Sequence, residues 1–226
     1  PALAAAAAPA PAATAAPAPA PAAAAAPLRV LATGDSMMLL TDIELRAALE
    51  DARVVSDIRV ATGLTKPHLL DWRRHAVWQA RRHRPDVVIA AMGANDAYAL
   101  RRARCCGRRW VARYARRIDA LARAWRRGGA DRVYWLTLPA PQHAKMRRQF
   151  DGVNAAVRRA RRVRTIDTRP LLSPDGEFHA ELETSPGTVE RVRSTDGVHL
   201  WWPGARMVAA AIEERLRADG VLPGGP

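Results

Sequence analysis

This 226-residue chain lacks a set of spaced cysteines, a nucleotide-binding motif and a long apolar run, and each absence excludes a class of protein. Its only cysteines, Cys105 and Cys106, are neighbours, and a trans peptide would hold their Cα atoms ~3.8 Å apart, below the usual span of a disulfide. We therefore expect no disulfide framework and no zinc site. Three states stay open for the thiols: free, buried, or paired between chains. No P-loop or dinucleotide-binding motif occurs, so no nucleotide cofactor is expected.

The chain also lacks an apolar run that could span a membrane, although hydrophobic residues make up 49% of it. Residues 1–27 are almost entirely Ala and Pro, and the repeated prolines rule out a spanning helix there. This stretch cannot bury enough apolar surface to offset its ordering entropy. We predict a disordered Ala/Pro-rich linker over residues 1–27 and one folded domain over residues 28–226.

Lysine is nearly absent, so arginine carries the basic charge: 34 Arg and two Lys face 22 Asp and Glu, for a net charge of +14. The excess predicts either attraction to polyanions or solvated helix faces. We favour solvated faces, because Arg-rich, Lys-poor and Ala-rich usage is typical of a GC-rich genome. Few aromatic residues interleave with the arginines, so no nucleic-acid partner is expected.

Short apolar runs alternate with segments of helical periodicity. The predicted strands are Leu28–Thr33, Val54–Ala61, Asp86–Met92, Arg132–Leu138 and Val163–Asp167. The predicted helices are Ser36–Glu50, Pro67–Arg84, Arg109–Arg127, Phe150–Arg162 and Gly204–Ala218. This alternation predicts an α/β fold, a three-layer α/β/α sandwich with a parallel, flavodoxin-like five-stranded sheet. Residues 168–194 break the pattern and predict an inserted β-hairpin.

Three polar motifs lie where the predicted topology places the carboxyl ends of the strands. Gly34-Asp35-Ser36 exposes a serine hydroxyl at a helix start, although a helix cap would also explain it. Gly93-Ala94-Asn95-Asp96 offers an amide donor for an oxyanion, with an ordinary turn as the alternative. Asp196-Gly197-Val198-His199 can place a carboxylate on one imidazole nitrogen while the other faces a nucleophile, with a polar surface loop as the alternative.

Together these motifs resemble the sequence blocks of the SGNH (GDSL-like) hydrolases. The GDS, GxND and DxxH blocks match in order, and Gly63 is the natural candidate for the glycine of the second block. The resemblance spans residues 28–218 and implies the SGNH hydrolase fold.

The resemblance also implies a catalytic role for each matched residue. Ser36 would attack the acyl carbonyl, His199 would transfer its proton, and Asp196 would fix the imidazole. The backbone N–H groups of Ser36 and Gly63, with the Asn95 side chain, would form the oxyanion hole. The resemblance implies no metal or organic cofactor.

A narrower resemblance is to a bacterial SGNH branch catalogued as a domain of unknown function. It is carried by Thr62-Gly63-Leu64, Pro67, Asp71-Trp72, Leu138-Pro139 and the insertion before Asp196. Members are commonly exported or membrane-anchored, and an Ala/Pro linker agrees with that. We therefore expect a periplasmic or otherwise exported bacterial protein; an upstream membrane anchor stays open.

Related envelope enzymes add or remove acyl groups on glycans. By this analogy the chain is expected to be a serine esterase that removes O-acyl groups, such as acetyl, from an envelope carbohydrate. The alternatives are an O-acyltransferase, a non-catalytic glycan-binding relative, and a lipid or thioester hydrolase. Trp201 and Trp202, close to the candidate histidine, are expected either to wall a substrate site or to anchor the core.

Overall fold

The structure is a computed structural model that describes residues 26–222. The predicted linker lies outside these residues, except for Ala26 and Pro27, and remains a prediction. Five parallel strands form one sheet in the order β2-β1-β3-β4-β5. Helices cover both faces, which confirms the predicted three-layer sandwich. No helix within residues 26–222 has the length and apolar character needed to cross a membrane.

The sheet strands are β1 (Arg29–Gly34), β2 (Arg53–Ile58), β3 (Val87–Ala91), β4 (Arg132–Leu136) and β5 (Arg164–Ile166). The helices are α1 (Thr41–Ala48), α2 (Trp72–His83), α3 (Arg108–Arg127), α4 (Ala144–Arg159), α5 (Arg169–Leu172) and α6 (Trp202–Ala218). Helices α2, α3 and α4 pack side by side in one layer, while α1 and α5 pack against α6 in the other. Every residue of β3 is buried, as expected of a central strand covered on both faces.

An antiparallel hairpin lies within the segment where the sequence indicates one. Its strands are β6 (Glu181–Ser185) and β7 (Thr188–Arg191), joined by a turn at Gly187 with φ of +75°. It forms a separate two-stranded sheet just before the loop that carries Asp196 and His199. The hairpin therefore ends a few residues before the Asp196–His199 motif.

Three predicted helices differ clearly from the observed ones. Helix α4 begins at Ala144 and not at Phe150, and the other two differ for identifiable reasons. The predicted helix over 36–50 is split into a 3₁₀ turn (Ser36–Met38) and α1, because Leu40 between them adopts φ of +63°. The predicted helix over 67–84 begins only at Trp72, where the Asp71 carboxylate caps it by accepting the N–H groups of Arg73 and Arg74.

The expectation that Cys105 and Cys106 form no disulfide with each other is wrong in this structure. The two sulfurs are joined as a disulfide, and the peptide bond between the residues is cis. The expectation assumed a trans peptide, and the sequence offers no signal for a cis bond at a non-proline residue.

A buried polar cluster links four elements, β1, β2, α2 and α3. The Gln79 amide of α2 donates to Thr33 Oγ1 at 2.7 Å and to Asp57 Oδ2 at 3.0 Å. Its carbonyl oxygen accepts from Trp125 Nε1 of α3 at 2.9 Å, and His75 Nε2 lies 2.8 Å from Asp57 Oδ2. Burial by itself would raise the pKa of Asp57, but the His75 ring and the Gln79 amide favour the carboxylate and lower that pKa to about 2.

We expect this carboxylate to make the stability of the domain depend on pH. The Asp57 pKa is depressed in the folded state, so its contribution is fully present above the unfolded value of about 3.9 and is lost as pH falls to about 2. In Asp57→Asn, the free energy of unfolding should fall by about 2 kcal/mol less than in wild type as the pH is lowered through this range. Urea unfolding between pH 2 and pH 6 measures it, with exposed Asp131→Asn as the control. Parallel curves for Asp57→Asn and wild type would contradict the prediction.

Candidate active site

Ser36 lies at the carboxyl edge of the sheet because the end of β1 is tied to the end of β3. The backbone N–H of Asp35 donates to the Ala91 carbonyl at 3.1 Å. Gly34, the last residue of β1, has φ of +152°, and a Cβ at this position would collide with that same carbonyl. Only glycine allows so close an approach, and the chain then turns so that Ser36 begins the 3₁₀ turn.

Three side chains from two distant parts of the chain meet at this edge. His199 Nε2 lies 2.7 Å from Ser36 Oγ, and His199 Nδ1 lies 2.6 Å from Asp196 Oδ2. The second Asp196 oxygen accepts the backbone N–H groups of Val198 at 2.8 Å and His199 at 2.9 Å. The Asp-x-x-His spacing therefore closes its own turn, and the same carboxylate orients the ring.

The charge state of Asp196 suits a partner for an imidazole that gains a proton. Partial burial acts to raise its pKa, but the His199 ring and two backbone N–H groups stabilise the carboxylate and lower the pKa to about 2. With Nδ1 facing this carboxylate, Nε2 is free to exchange a proton with Ser36 Oγ. The arrangement can generate a serine nucleophile and hold the imidazolium that results.

The loops that carry Gly63 and Asn95 are joined by the buried carboxylate of Asp96. It accepts the N–H of Leu64 at 3.0 Å, the N–H and hydroxyl of Thr65 at 2.6 and 2.7 Å, and the Tyr114 hydroxyl at 2.5 Å. A Cβ on Gly63 would collide with this carboxylate. The structure thus brings the candidate glycine and the candidate amide to the same edge of the sheet.

Several groups there can donate a hydrogen bond to a ligand. Among residues 26–222, no acceptor is found for the backbone N–H of Ser36 or of Gly63. The Asn95 amide is held only loosely, at 3.4 Å from Asp35 Oδ2. In the same part of the chain, no group of three or more His, Cys, Asp or Glu side chains is placed to hold a metal ion.

Asp35 is a buried site residue to which sequence reasoning gave only a capping role. Its carboxylate accepts the N–H of Met37 at 2.9 Å and that of Gly93 at 2.8 Å, so it joins the serine loop to the asparagine loop. Complete burial raises its pKa to about 6, against the opposing effect of those two N–H groups. Its position inside the GDS block was a signal that could have identified it.

Arg193 is a second residue that the sequence did not reveal. It is fully buried, and its guanidinium donates to the carbonyls of Ala140 at 2.8 Å, Val198 at 2.9 Å and His199 at 3.4 Å. It also lies 4.9 Å from the ring centre of Phe178, and burial lowers its pKa to about 10. Arg193 therefore fastens the His199 loop to the loop after β4.

Trp201 immediately precedes α6 and Trp202 is its first residue, so both closely follow His199 in the chain. Their exposed fractions are 45% and 38%, which excludes the core-anchor interpretation for both. The backbone N–H of Trp201 donates to the Val192 carbonyl at 2.9 Å, so this end of the helix is held beside the hairpin. A substrate-binding role for the two indoles remains a prediction.

This fold and this arrangement of side chains are those that the resemblance to the SGNH (GDSL-like) hydrolases implies. The chain belongs to the family described as "Protein of unknown function (DUF459)", which matches residues 29–215. No match is found among the curated proteins.

Solved structures of other proteins share the fold at low sequence identity. The C-terminal catalytic domain of Streptococcus pneumoniae peptidoglycan O-acetyltransferase A is 17% identical, with a TM-score of 0.53 over 86% of this chain and 95% of that one. A putative GDSL-like lipase from Bacteroides ovatus is 11% identical, with a TM-score of 0.57 over 84% of this chain and 52% of that one. A peptidoglycan O-acetylesterase is 15% identical, with a TM-score of 0.50 over 74% and 47%.

Replacing Arg193 should loosen the His199 loop even when the charge is kept. In Arg193→Lys a single ammonium cannot reach carbonyls on both loops, and carbonyls left unpaired should lower the free energy of unfolding by about 1–3 kcal/mol. Displacement of the ring should slow fluorophosphonate labelling of Ser36 on the order of tenfold or more. Arg191→Lys, at a nearby exposed arginine, is the matched control. Wild-type labelling by the Arg193 variant would contradict this role.

Proposed function

We propose that this protein is a serine esterase that removes O-acyl groups, such as acetyl, from a cell-envelope carbohydrate. The observation that carries the proposal is the continuous contact from Ser36 through His199 to Asp196, at 2.7 and 2.6 Å. A binding module has no need of a hydroxyl, an imidazole and a carboxylate in this order, which disfavours the non-catalytic alternative.

In the first step Ser36 Oγ attacks the ester carbonyl while His199 Nε2 takes the hydroxyl proton. The imidazolium is stabilised by Asp196, which stays ionised because its pKa is about 2. The negative charge that develops on the carbonyl oxygen is met by the backbone N–H groups of Ser36 and Gly63 and by the Asn95 amide. His199 then protonates the sugar oxygen as it leaves, and the acyl group stays on Ser36.

In the second step a water molecule gives a proton to His199 and attacks the acyl-Ser36 carbonyl. The second tetrahedral intermediate uses the same three donors, and its collapse returns the proton from His199 to Ser36. Residues of the chain itself perform every proton transfer in this scheme. Neither a metal nor an organic cofactor takes part.

The carbohydrate part of the proposal is supported by the exposed pair Trp201 and Trp202. Indole faces stack on the apolar faces of sugar rings, and these exposed residues follow His199 by two and three positions, at the start of α6. Two proteins of similar fold are a peptidoglycan O-acetyltransferase and a peptidoglycan O-acetylesterase. Together with the Ala/Pro-rich N-terminal segment, these favour an exported enzyme that acts in the envelope.

O-acyl transfer is the second candidate function, and the same indole pair favours it. Transfer and hydrolysis share the acyl-Ser36 intermediate and differ only in whether a sugar hydroxyl or water attacks it. A sugar held against Trp201 and Trp202 would compete with water for that attack. His199 would deprotonate either nucleophile, so the triad is common to both reactions.

Ser36→Ala should reduce hydrolysis of a short-chain aryl ester by on the order of 10³-fold or more, because the nucleophile is lost. The steady-state rate of release of the aryl group measures this. Ser185→Ala, at an exposed serine on the hairpin, is the control and should keep wild-type activity. If Ser36→Ala retained activity within about tenfold of wild type, with an unchanged circular dichroism spectrum, the esterase proposal would be wrong.

Incubation with an activated acyl ester and an oligosaccharide acceptor should yield mainly free acid. Mass spectrometry of the products separates free acid from acyl-oligosaccharide over time. Trp201→Ala with Trp202→Ala should leave the free-acid rate with a small aryl ester unchanged, which controls for damage to the triad. Acyl-oligosaccharide accumulating faster than free acid would replace hydrolysis by transfer as the function.

A further inference from the structure

The two helical layers differ sharply in charge. Helices α2, α3 and α4 carry 17 Lys and Arg but only two acidic residues. Helices α1, α5 and α6 carry five Arg and four acidic residues. Both acidic residues of the basic layer are engaged, since Asp119 accepts backbone N–H groups and Asp151 pairs with Arg169. Nearly all of the net positive charge of the helices therefore lies on one face of the sheet.

A groove runs between α2 and α3 on this basic layer. One part of it has a volume of 390 Å³, and an adjoining part of 240 Å³ shares Arg73 and Ala120 with it. Small apolar side chains line the larger part, and four exposed arginines flank them. These arginines are Arg73 and Arg81 of α2 and Arg123 and Arg127 of α3.

The four groove arginines lack counter-charges. Within residues 26–222, none of them has an acidic side chain at ion-pair distance, unlike Arg29, which pairs with Asp86. Asp71, which lines the smaller part of the groove, accepts the N–H groups that begin α2. Like charges so close together repel one another, and an anionic ligand would relieve that repulsion. The guanidinium group also binds carboxylate or phosphate through two parallel hydrogen bonds.

The shape of the groove fits a linear polymer. Arg73 and Arg81 are eight residues apart on α2, which corresponds to ~12 Å along the helix axis, so each wall offers charge at two points. The floor residues Val77, Ala80 and Ala124 offer an apolar surface to the faces of sugar rings. A lipid bilayer, by contrast, is broad and would engage α4 as much as the groove.

One end of the groove lies beside the candidate active site. Leu64, which lines the smaller part, directly follows Gly63 in the chain. The Arg117 guanidinium of α3 donates to the Leu64 carbonyl and so fastens this loop to the helix. A polymer lying in the groove would therefore lead toward the loop that carries a proposed oxyanion donor.

We propose that the α2–α3 groove binds a linear carbohydrate polymer bearing carboxylate or phosphate groups, and that this polymer carries the ester cleaved at Ser36. Its second half rests on the proposed function, whereas polymer binding rests on the groove alone. The proposal also changes the interpretation of the arginine excess, which as a sequence pattern favoured solvated faces.

Two fourfold variants of the full chain test the groove at equal net charge. The groove variant combines Arg73→Gln, Arg81→Gln, Arg123→Gln and Arg127→Gln. The control combines Arg148→Gln, Arg159→Gln, Arg161→Gln and Arg162→Gln, all exposed and without ion pairs within residues 26–222. Fluorescence anisotropy with labelled polygalacturonate oligomers measures binding, and fully methyl-esterified oligomers serve as the neutral probe.

The groove variant should bind polygalacturonate about tenfold or more weakly than wild type, and the control variant within about threefold. Wild-type binding should weaken with added salt and be absent for the neutral probe. An equal loss in both variants would show diffuse attraction and overturn the proposal. So would binding of wild type to phosphatidylglycerol vesicles but not to polygalacturonate.

Activity measurements separate this proposal from the esterase proposal. The groove variant should hydrolyse a small aryl ester at the wild-type rate but lose about tenfold in kcat/KM on O-acetylated polygalacturonate. Ser36→Ala should bind polygalacturonate like wild type while hydrolysing neither ester. If wild type bound polygalacturonate but hydrolysed neither ester, the esterase proposal would be wrong and polymer binding by the groove would stand. If the groove substitutions left hydrolysis of both esters unchanged, the claim that the bound polymer carries the ester would be wrong.

Discussion

The hydrogen bonds accepted by the buried Asp35 carboxylate are the contact on which the candidate site depends. One oxygen accepts the Met37 N–H and fixes the turn that presents Ser36, and the other accepts the Gly93 N–H of the neighbouring loop. The two strands that lead into these loops are adjacent in the sheet, and Gly34 allows their ends to touch. This joint holds the loop of the nucleophile against the loop of the proposed oxyanion donor.

Carboxylates in different surroundings carry out different tasks in the same sandwich. Asp35 is completely buried among uncharged donors, and burial raises its pKa, whereas Asp196 is partly exposed beside an imidazole, and its pKa is lowered. Asp96, which is fully buried, accepts four hydrogen bonds behind Gly63, from Leu64, Thr65 and Tyr114. The distinction follows from what each carboxylate touches, since the residue type is the same in all three cases.

Charge is arranged on a larger scale as well. The basic layer and the nearly neutral layer lie on opposite faces of one sheet, so the molecule presents two different surfaces to its surroundings. The candidate site opens at the strand ends between them. An enzyme that works on a charged polymer gains from such a division, because one face can hold the chain while the edge performs the chemistry.

The sequence by itself determined the sheet, the layers and the site motifs, because buried parallel strands read as apolar runs and because the Asp-x-x-His turn is closed by its own residues. The helix limits predicted from the sequence were wrong where one backbone angle, as at Leu40, or one helix cap, as at Asp71, decided the boundary. Only the tertiary structure brought Ser36 to His199 across 163 residues of chain. It alone revealed Arg193, because its partners are backbone carbonyls, which leave no pattern in a sequence. It alone showed which arginines share a layer, because that depends on which helices pack side by side.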